Sequence, residues 1–261
     1  MNSLPQGTSS NVRLLPGPPA VVLKRYRSAR ARTQARDALQ SWAPSLTRLR
    51  APIVLPSAAN DPSPSLRLEF LEGGVLSNEA MWREQLDIAE ALGNGLAELH
   101  ALHAPPDPLP LHEAIPRRLA GWLKRDEGAL GAERILELQA HLDPTPLRGL
   151  ERVPCHRDLG PDNVVLLKQG GFGLIDWEHA RADCAWSDIL RTWEGLPPEL
   201  DTWSAALARG AGLPLDGWPA LRALGLVEGA GCIVWGTSQA QPWLVERGER
   251  LLRNLLCRDD V

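Results

Sequence analysis

The stretch CHRDLGPDNVVLLKQGGFGLIDWE, residues 155–178, decides how this chain is read. It places His156, Asp158 and Asn163 in an H-x-D-x-x-x-x-N spacing, and Asp176 follows thirteen residues after Asn163 at the end of an apolar run. Residues 164–167 and 172–175 are short apolar segments joined through Gln169-Gly170-Gly171, which predicts a β-hairpin. Pairing centred on Gln169 and Gly170 sets Asn163 opposite Asp176 at the open end of the ladder. A carboxylate and an amide oxygen brought together there suit a hard divalent cation that carries phosphate oxygens. Asp158 precedes Asn163 by five residues in a loop shaped by Gly160 and Pro161, so it can stand beside that cation and accept or orient a hydroxyl proton. His156 is grouped with Asp158 in the catalytic loop, where it reads as a brace acting through side-chain hydrogen bonds. Each of these residue types also favours ordinary turns. The conjunction with an aspartate ending the partner strand is what points to chemistry.

Taken together, the segment resembles the catalytic loop and metal-binding strand of the aminoglycoside phosphotransferase and choline kinase-like family, relatives of the protein kinases. The resemblance implies an α+β, two-lobed protein-kinase-like fold, with a small β-rich N-terminal lobe and a larger helical C-terminal lobe. It also implies transfer of the γ-phosphate of ATP or GTP, with Mg²⁺, to a hydroxyl of a small molecule such as an aminoglycoside, an amino alcohol or a similar metabolite. In that family the first Asp is the catalytic base while the Asn and the later Asp hold magnesium, roles that fall on Asp158, Asn163 and Asp176. Trp186-Ser187-Asp188-Ile189-Leu190 resembles the W-x-D-hydrophobic stretch that commonly follows. Arg157 departs from the small residue, usually Gly, often found there, and is more similar to a protein kinase. Only nine residues separate Asp176 from Trp186, which leaves little room for the activation segment and peptide platform of a protein kinase.

Upstream, residues 20–26 form a short apolar strand carrying Lys24. The chain has three lysines against twenty-five arginines, so a lysine kept in a strand is informative: a compact ammonium reaches phosphates where a planar guanidinium does not fit. The resemblance makes Lys24 the phosphate-contacting lysine of the small lobe; otherwise it is a strand-end lysine reaching solvent. The helical stretch 28–42 lacks the Glu that family members use to pair with this lysine, and Asp37 is its one carboxylate; whether Asp37 reaches is open. Gly7-Thr8-Ser9-Ser10-Asn11 resembles the phosphate-covering loop, in which Ser9 and Ser10 bond phosphate oxygens; an N-terminal tail is the other reading. Residues 66–71 alternate as a strand into Glu72-Gly73-Gly74, and by resemblance Glu69, Leu71 and Gly73 lie at the nucleotide edge, where backbone groups bond the base.

This divides the chain into a nucleotide-binding lobe, residues 1–72, and a helical lobe, residues 73–261, carrying the catalytic loop and acceptor site. Helix is expected from residues 77–79 to His103, with Met81, Leu86, Ile88, Ala89, Leu92, Leu96, Leu99 and Leu102 as a packing stripe. Further helices are expected near 112–127, 131–142, 186–194, 198–210 and 217–255. At 261 residues and 44% hydrophobic content the chain can bury substantial cores. No apolar run has bilayer-spanning length and the first residues lack a secretion signal, so a cytoplasmic protein is expected. The four scattered cysteines read as reduced thiols. A net charge of −4 argues against a nucleic-acid partner. Glu178, Trp186 and Asp188 are candidates to line the acceptor; Glu178 either touches a cationic acceptor or caps a turn, and the tryptophans form either an aromatic cage or core. A nucleotide-binding pseudoenzyme with a regulatory role is the alternative, motivated by the missing helix Glu and the short glycine loop.

Overall fold

The strand-forming segments of the first 75 residues are short and rich in Val, Leu and Ile, and they fold into the β-rich part of the chain. The structure, a computed structural model, describes residues 11–79 and 81–256. Ser9 and Ser10 therefore lie outside the described residues. β1 (Asn11–Leu15) and β2 (Val21–Arg25) are followed by helix α1 (Ala29–Ser41), then β3 (Leu49–Arg50), β4 (Val54–Leu55) and β5 (Ser65–Glu69). The first sheet runs β1-β2-β5-β4, antiparallel throughout, with Lys24 opposite Leu66. The Ser28 hydroxyl caps α1 by accepting from the Ala31 amide at 3.1 Å, and the helix buries Ala35, Ala38 and Leu39.

β6 (Gly73–Val75) leads into the helical part: α2 (Leu86–His100), α3 (Leu111–Leu123) and α4 (Ala132–His141). Then come β7 (Val153–Cys155), β8 (Val164–Leu167), β9 (Phe172–Leu174) and β10 (Arg181–Asp183), and finally α5 (Thr202–Gly210), α6 (Trp218–Ser238) and α7 (Pro242–Leu256). A second sheet runs β3-β9-β8-β6 and a two-stranded ladder joins β7 to β10. Because β3 pairs in parallel with β9, the second sheet takes strands from both sides of residue 72. Gly73 pairs with Leu167 there, and a Cβ at Gly73 would lie 2.1 Å from the Leu166 carbonyl oxygen, so only glycine permits that approach. α6 is apolar almost all round and forms the centre of the helical core. Among the described residues no helix is long and apolar enough to cross a membrane.

Three expected helices differ. The one expected from 77–79 begins at Leu86 after two short 3₁₀ turns, because Met81 takes a left-handed conformation (φ 56°) that ends any helix there, and its side chain is exposed rather than part of the stripe. Residues 186–194 contain only a 3₁₀ turn, Ala185–Asp188. The run 217–255 is two helices, α6 and α7, broken where Ala240 is left-handed (φ 50°) and Pro242 starts the second.

Candidate active site

Hairpin register sets the geometry. Val164 pairs with Leu174, Val165 with Gly173 and Leu166 with Phe172, and the Ile175 amide donates to the Asn163 carbonyl at 3.0 Å. Asn163 thus faces Ile175, one position short of the expected Asp176. The shift comes from the turn: Gly170 (φ 89°) and Gly171 (φ 80°) are both left-handed, and Leu167 donates to the Gly171 carbonyl at 3.1 Å, which centres the ladder on Gln169 alone. Asp176 then leaves the strand in the left-handed region (φ 67°), and across the cleft Arg157 does the same (φ 64°). Non-glycine residues in that region cost about 1–3 kcal/mol each and persist only where their surroundings hold them.

The loop after β7 is held from behind. His156 is fully buried, its Nε2 lies 2.9 Å from the Ile175 carbonyl, and its Nδ1 accepts from the Asp158 amide at 3.3 Å. Those two bonds define a neutral tautomer, and burial pushes its pKa down. It packs edge-to-face on Trp177, centroids 4.9 Å apart. His156 therefore ties the loop to the strand before Asp176, as a brace and not as a proton-transfer group. Asp188, also buried, accepts from the Arg157 amide at 2.6 Å and the His156 amide at 3.3 Å, and its Oδ2 lies 2.9 Å from His100 Nε2. Cys155 joins His100 and Asp188 in a cluster of metal-ligating types. Its Sγ, however, has the carbonyls of Val153, Asp183 and Cys184 within reach of its single S–H, and burial drives its pKa well up, so it is a structural thiol.

Asp158 receives the Asn163 side-chain amide on both its carbonyl (2.8 Å) and its carboxylate (3.0 Å). Arg191 Nε lies 2.7 Å from its other carboxylate oxygen. Burial alone would raise the Asp158 pKa, but Arg191, followed by His179, His156 and Asn163, outweighs it and holds the carboxyl below its ordinary value. The group is an anion at neutral pH.

Lys24 is buried, and its ammonium bonds the Asp176 carboxylate across a chain separation of 152 residues. A second carboxylate, Glu178 Oε2, lies 3.3 Å from the same Nζ. Asp37 pairs with its neighbour Arg36 at 2.8 Å on the outer face of α1 and takes no part; the carboxylate that pairs with Lys24 in place of a helix Glu comes instead from the turn after β9, at Glu178. The Lys24 ammonium also lies 5.0 Å from the centre of the Tyr26 ring, and burial, then Asp176 and Glu178, push the Tyr26 hydroxyl pKa up.

None of the three expected acceptor residues stands free to meet an acceptor. Glu178 is buried against Lys24, Trp186 is buried edge-to-face against Trp218 at 5.7 Å, and Asp188 holds the loop amides. Of the residues expected to border the nucleotide, Glu69 pairs through its side chain with Arg50, Leu71 is buried, and Gly73 opens β6. Sequence reasoning missed Arg191, Asp183 and their neighbours. Asp183, fully buried, accepts a hydrogen bond from Arg118 Nη2 at 2.8 Å and forms ion pairs with Arg157 Nε at 2.7 Å, Arg181 at 3.6 Å and Arg152 at 3.9 Å. Burial would raise its pKa, but Arg157 and Arg118 pull it down to about 2. Its signal was Arg157 itself, whose charge next to Asp158 demanded a partner. The larger cavity, about 660 Å³ between residues 100–111 and 150–153, includes none of Lys24, Asp158, Asn163 or Asp176.

A β-rich small part, a helical large part and a cleft holding a lysine, two aspartates and an asparagine define a protein of the kinase-like phosphotransferase class. The chain matches the Phosphotransferase enzyme family, APH, over residues 2–224, and it belongs to that family. No curated protein matches it. Among solved structures, the GDP and kanamycin complex of APH(2")-IIia is similar at 16% identity with a TM-score of 0.73, covering 99% of this chain and 93% of that one. Aminoglycoside phosphotransferase APH(4)-Ia is similar at 17% identity and TM-score 0.69, covering 96% and 92%. The macrolide 2'-phosphotransferase MphH from Brachybacterium faecium is similar at 19% identity and TM-score 0.64, covering 98% and 91%. These likenesses show the two-lobed kinase-like fold.

Proposed function

We propose that the protein transfers the γ-phosphoryl group of ATP or GTP to a hydroxyl of a small molecule. The observation that supports this most is convergence: Lys24 bonds Asp176 across 152 residues, Asn163 bonds Asp158, and the hairpin bond from the Ile175 amide to the Asn163 carbonyl joins the segments that carry the two pairs. Residues 1–72 serve as the nucleotide lobe and residues 73–261 carry the catalytic loop and acceptor site. The backbone of Glu69, Leu71 and Gly73 borders the base.

The donor set fits magnesium. The Asn163 amide nitrogen is committed to Asp158, which leaves its oxygen, with the Asp176 carboxylate, as hard donors. The Lys24 ammonium already bonded to Asp176 shows that this position favours positive charge. When bound, the metal would neutralise charge on the phosphate oxygens. Lys24 contributes a second positive charge to the phosphates, and Asp158 orients the acceptor hydroxyl and takes its proton. The acceptor oxygen forms its bond to phosphorus as the bond to the β–γ bridging oxygen breaks, and the electron pair leaves with the nucleoside diphosphate. Little covalent chemistry is asked of the protein beyond positioning and charge.

Replacing Asp158 with alanine is expected to leave nucleotide binding intact by calorimetry and to abolish diphosphate release in an acceptor screen. Equal turnover in Asp158→Ala and wild type would remove the assignment.

A further inference from the structure

Arg191 connects the catalytic aspartate to a second feature. The guanidinium that contacts Asp158 at 2.7 Å also lines a cavity of about 160 Å³. Pro161 of the catalytic loop borders the same cavity, so it opens beside the site of transfer. Its charged lining is Arg83, Arg191, Arg247 and Arg250 against one carboxylate, Glu194. That carboxylate is already held by Arg83 Nη2 at 2.8 Å and Arg250 Nε at 3.2 Å. Arg247 pairs with Glu228 at 3.3 Å. With Glu228 and Asp158 counted, four guanidiniums still face three carboxylates.

Each guanidinium carries five donors in a planar fork, and the Arg83 and Arg250 side chains are 40% and 50% exposed, leaving donors open to a ligand. Such forks match the oxygens of a carboxylate or phosphate two at a time. A cationic acceptor would meet four guanidiniums lining the cavity against one carboxylate. Size argues the same way, since 160 Å³ is below the roughly 300–1,000 Å³ that holds a drug-sized ligand.

We propose that the acceptor is a small hydroxylated anion, whose carboxylate or phosphate is held by this arginine cluster while its hydroxyl reaches Asp158. The inference rests on the phosphotransferase reading above and narrows it away from polycationic acceptors. Transfer proceeds as described there, with the anionic group acting only as a handle.

The test titrates the full-length, nucleotide-loaded protein by calorimetry with glycerate, glycerol 3-phosphate, glycerol, choline and kanamycin, and follows diphosphate release with each. Glycerate or glycerol 3-phosphate is expected to bind at least tenfold more tightly than glycerol, and the stronger of the two identifies the handle as carboxylate or phosphate. Arg250→Glu and, as a second variant, Arg83→Glu are each expected to weaken that anion about tenfold while nucleotide affinity stays unchanged. Choline or kanamycin binding as well as the anions overturns the inference, as do anions that bind no better than glycerol or that ignore both charge reversals. Turnover of kanamycin but of neither anion leaves the phosphotransferase reading standing and removes this one. An anion that binds as expected, with no diphosphate released for any compound, does the reverse.

Discussion

Two neighbourhoods of the site, with Asp158 contacting one of them through Arg191, carry opposite excess charge. Towards Lys24, one ammonium faces two carboxylates, Asp176 and Glu178; around Arg191, four guanidiniums line a cavity with one carboxylate. The first neighbourhood has spare negative charge, which suits a metal and its phosphates once a divalent cation is added. The second has spare positive charge and needs no metal to hold an anion. One aspartate can serve both because Asn163 donates to it on one side and Arg191 on the other, so it remains ionised despite burial.

The comparison breaks most severely at its centre. Loss of a general base costs about 10²–10⁴-fold in rate, and Asp158→Ala is expected to fall in that range in kcat while nucleotide Kd is unchanged. Asp176→Ala is instead expected to weaken nucleotide binding in the presence of magnesium and to leave it unaffected in EDTA, which separates the metal-bearing side from the proton-accepting one.

Next in size is Asp183, the buried carboxylate behind Arg157. Removing one partner of a buried ion pair costs about 3–5 kcal/mol, so Asp183→Asn is expected to lower Tm by about 6–20 °C at 2–4 °C per kcal/mol, measured by calorimetry. The sign with pH follows from its pKa, about 2 when folded against an ordinary 3.8. The contribution is whole above the ordinary value and disappears as pH falls from there toward about 2, so the wild-type and Asp183→Asn unfolding curves should converge at acid pH.

Smaller, and aimed at the Lys24 side alone, is the contrast between Glu178 and Asp37. Glu178→Gln is expected to lower kcat/KM for nucleotide about tenfold, or roughly 1.4 kcal/mol, whereas Asp37→Asn should change nothing. The reverse result would return the lysine's partner to α1. Smallest in rate is Arg191→Ala. Without that guanidinium the Asp158 pKa rises, so the acid limb of the kcat profile, read at saturating acceptor, should move to higher pH while its plateau is kept.

Much of the fold was legible because its punctuation is local. The Gln169-Gly170-Gly171 turn, the short apolar strand around Lys24 and the apolar periodicity of residues 86–99 each mark their element without help from distant residues. The errors share a cause. The hairpin slipped by one position because two consecutive left-handed glycines choose the loop length, and the helix expected from 77–79 stopped at a left-handed Met81; neither conformation is visible in residue type. In the site, the residues at motif spacing could be named in advance. What residue type did not reveal is that the side chains of Glu178, Trp186 and Asp188 turn inward to Lys24, to Trp218 and to the loop amides.

By itself the sequence determined the chemistry available: an aspartate, an asparagine and a second aspartate at hairpin spacing, and one lysine retained in a strand. Those choices are short-range, since turn residues and alternating strands act on neighbours a few positions away. Only the tertiary structure decided which charges meet. Lys24 and Asp176 are 152 residues apart in the chain, and Arg83, Arg191 and the α7 pair Arg247 and Arg250 gather around one cavity from three separate places. Coulomb forces depend on distance through space, and the packing of the helices and sheets sets that distance.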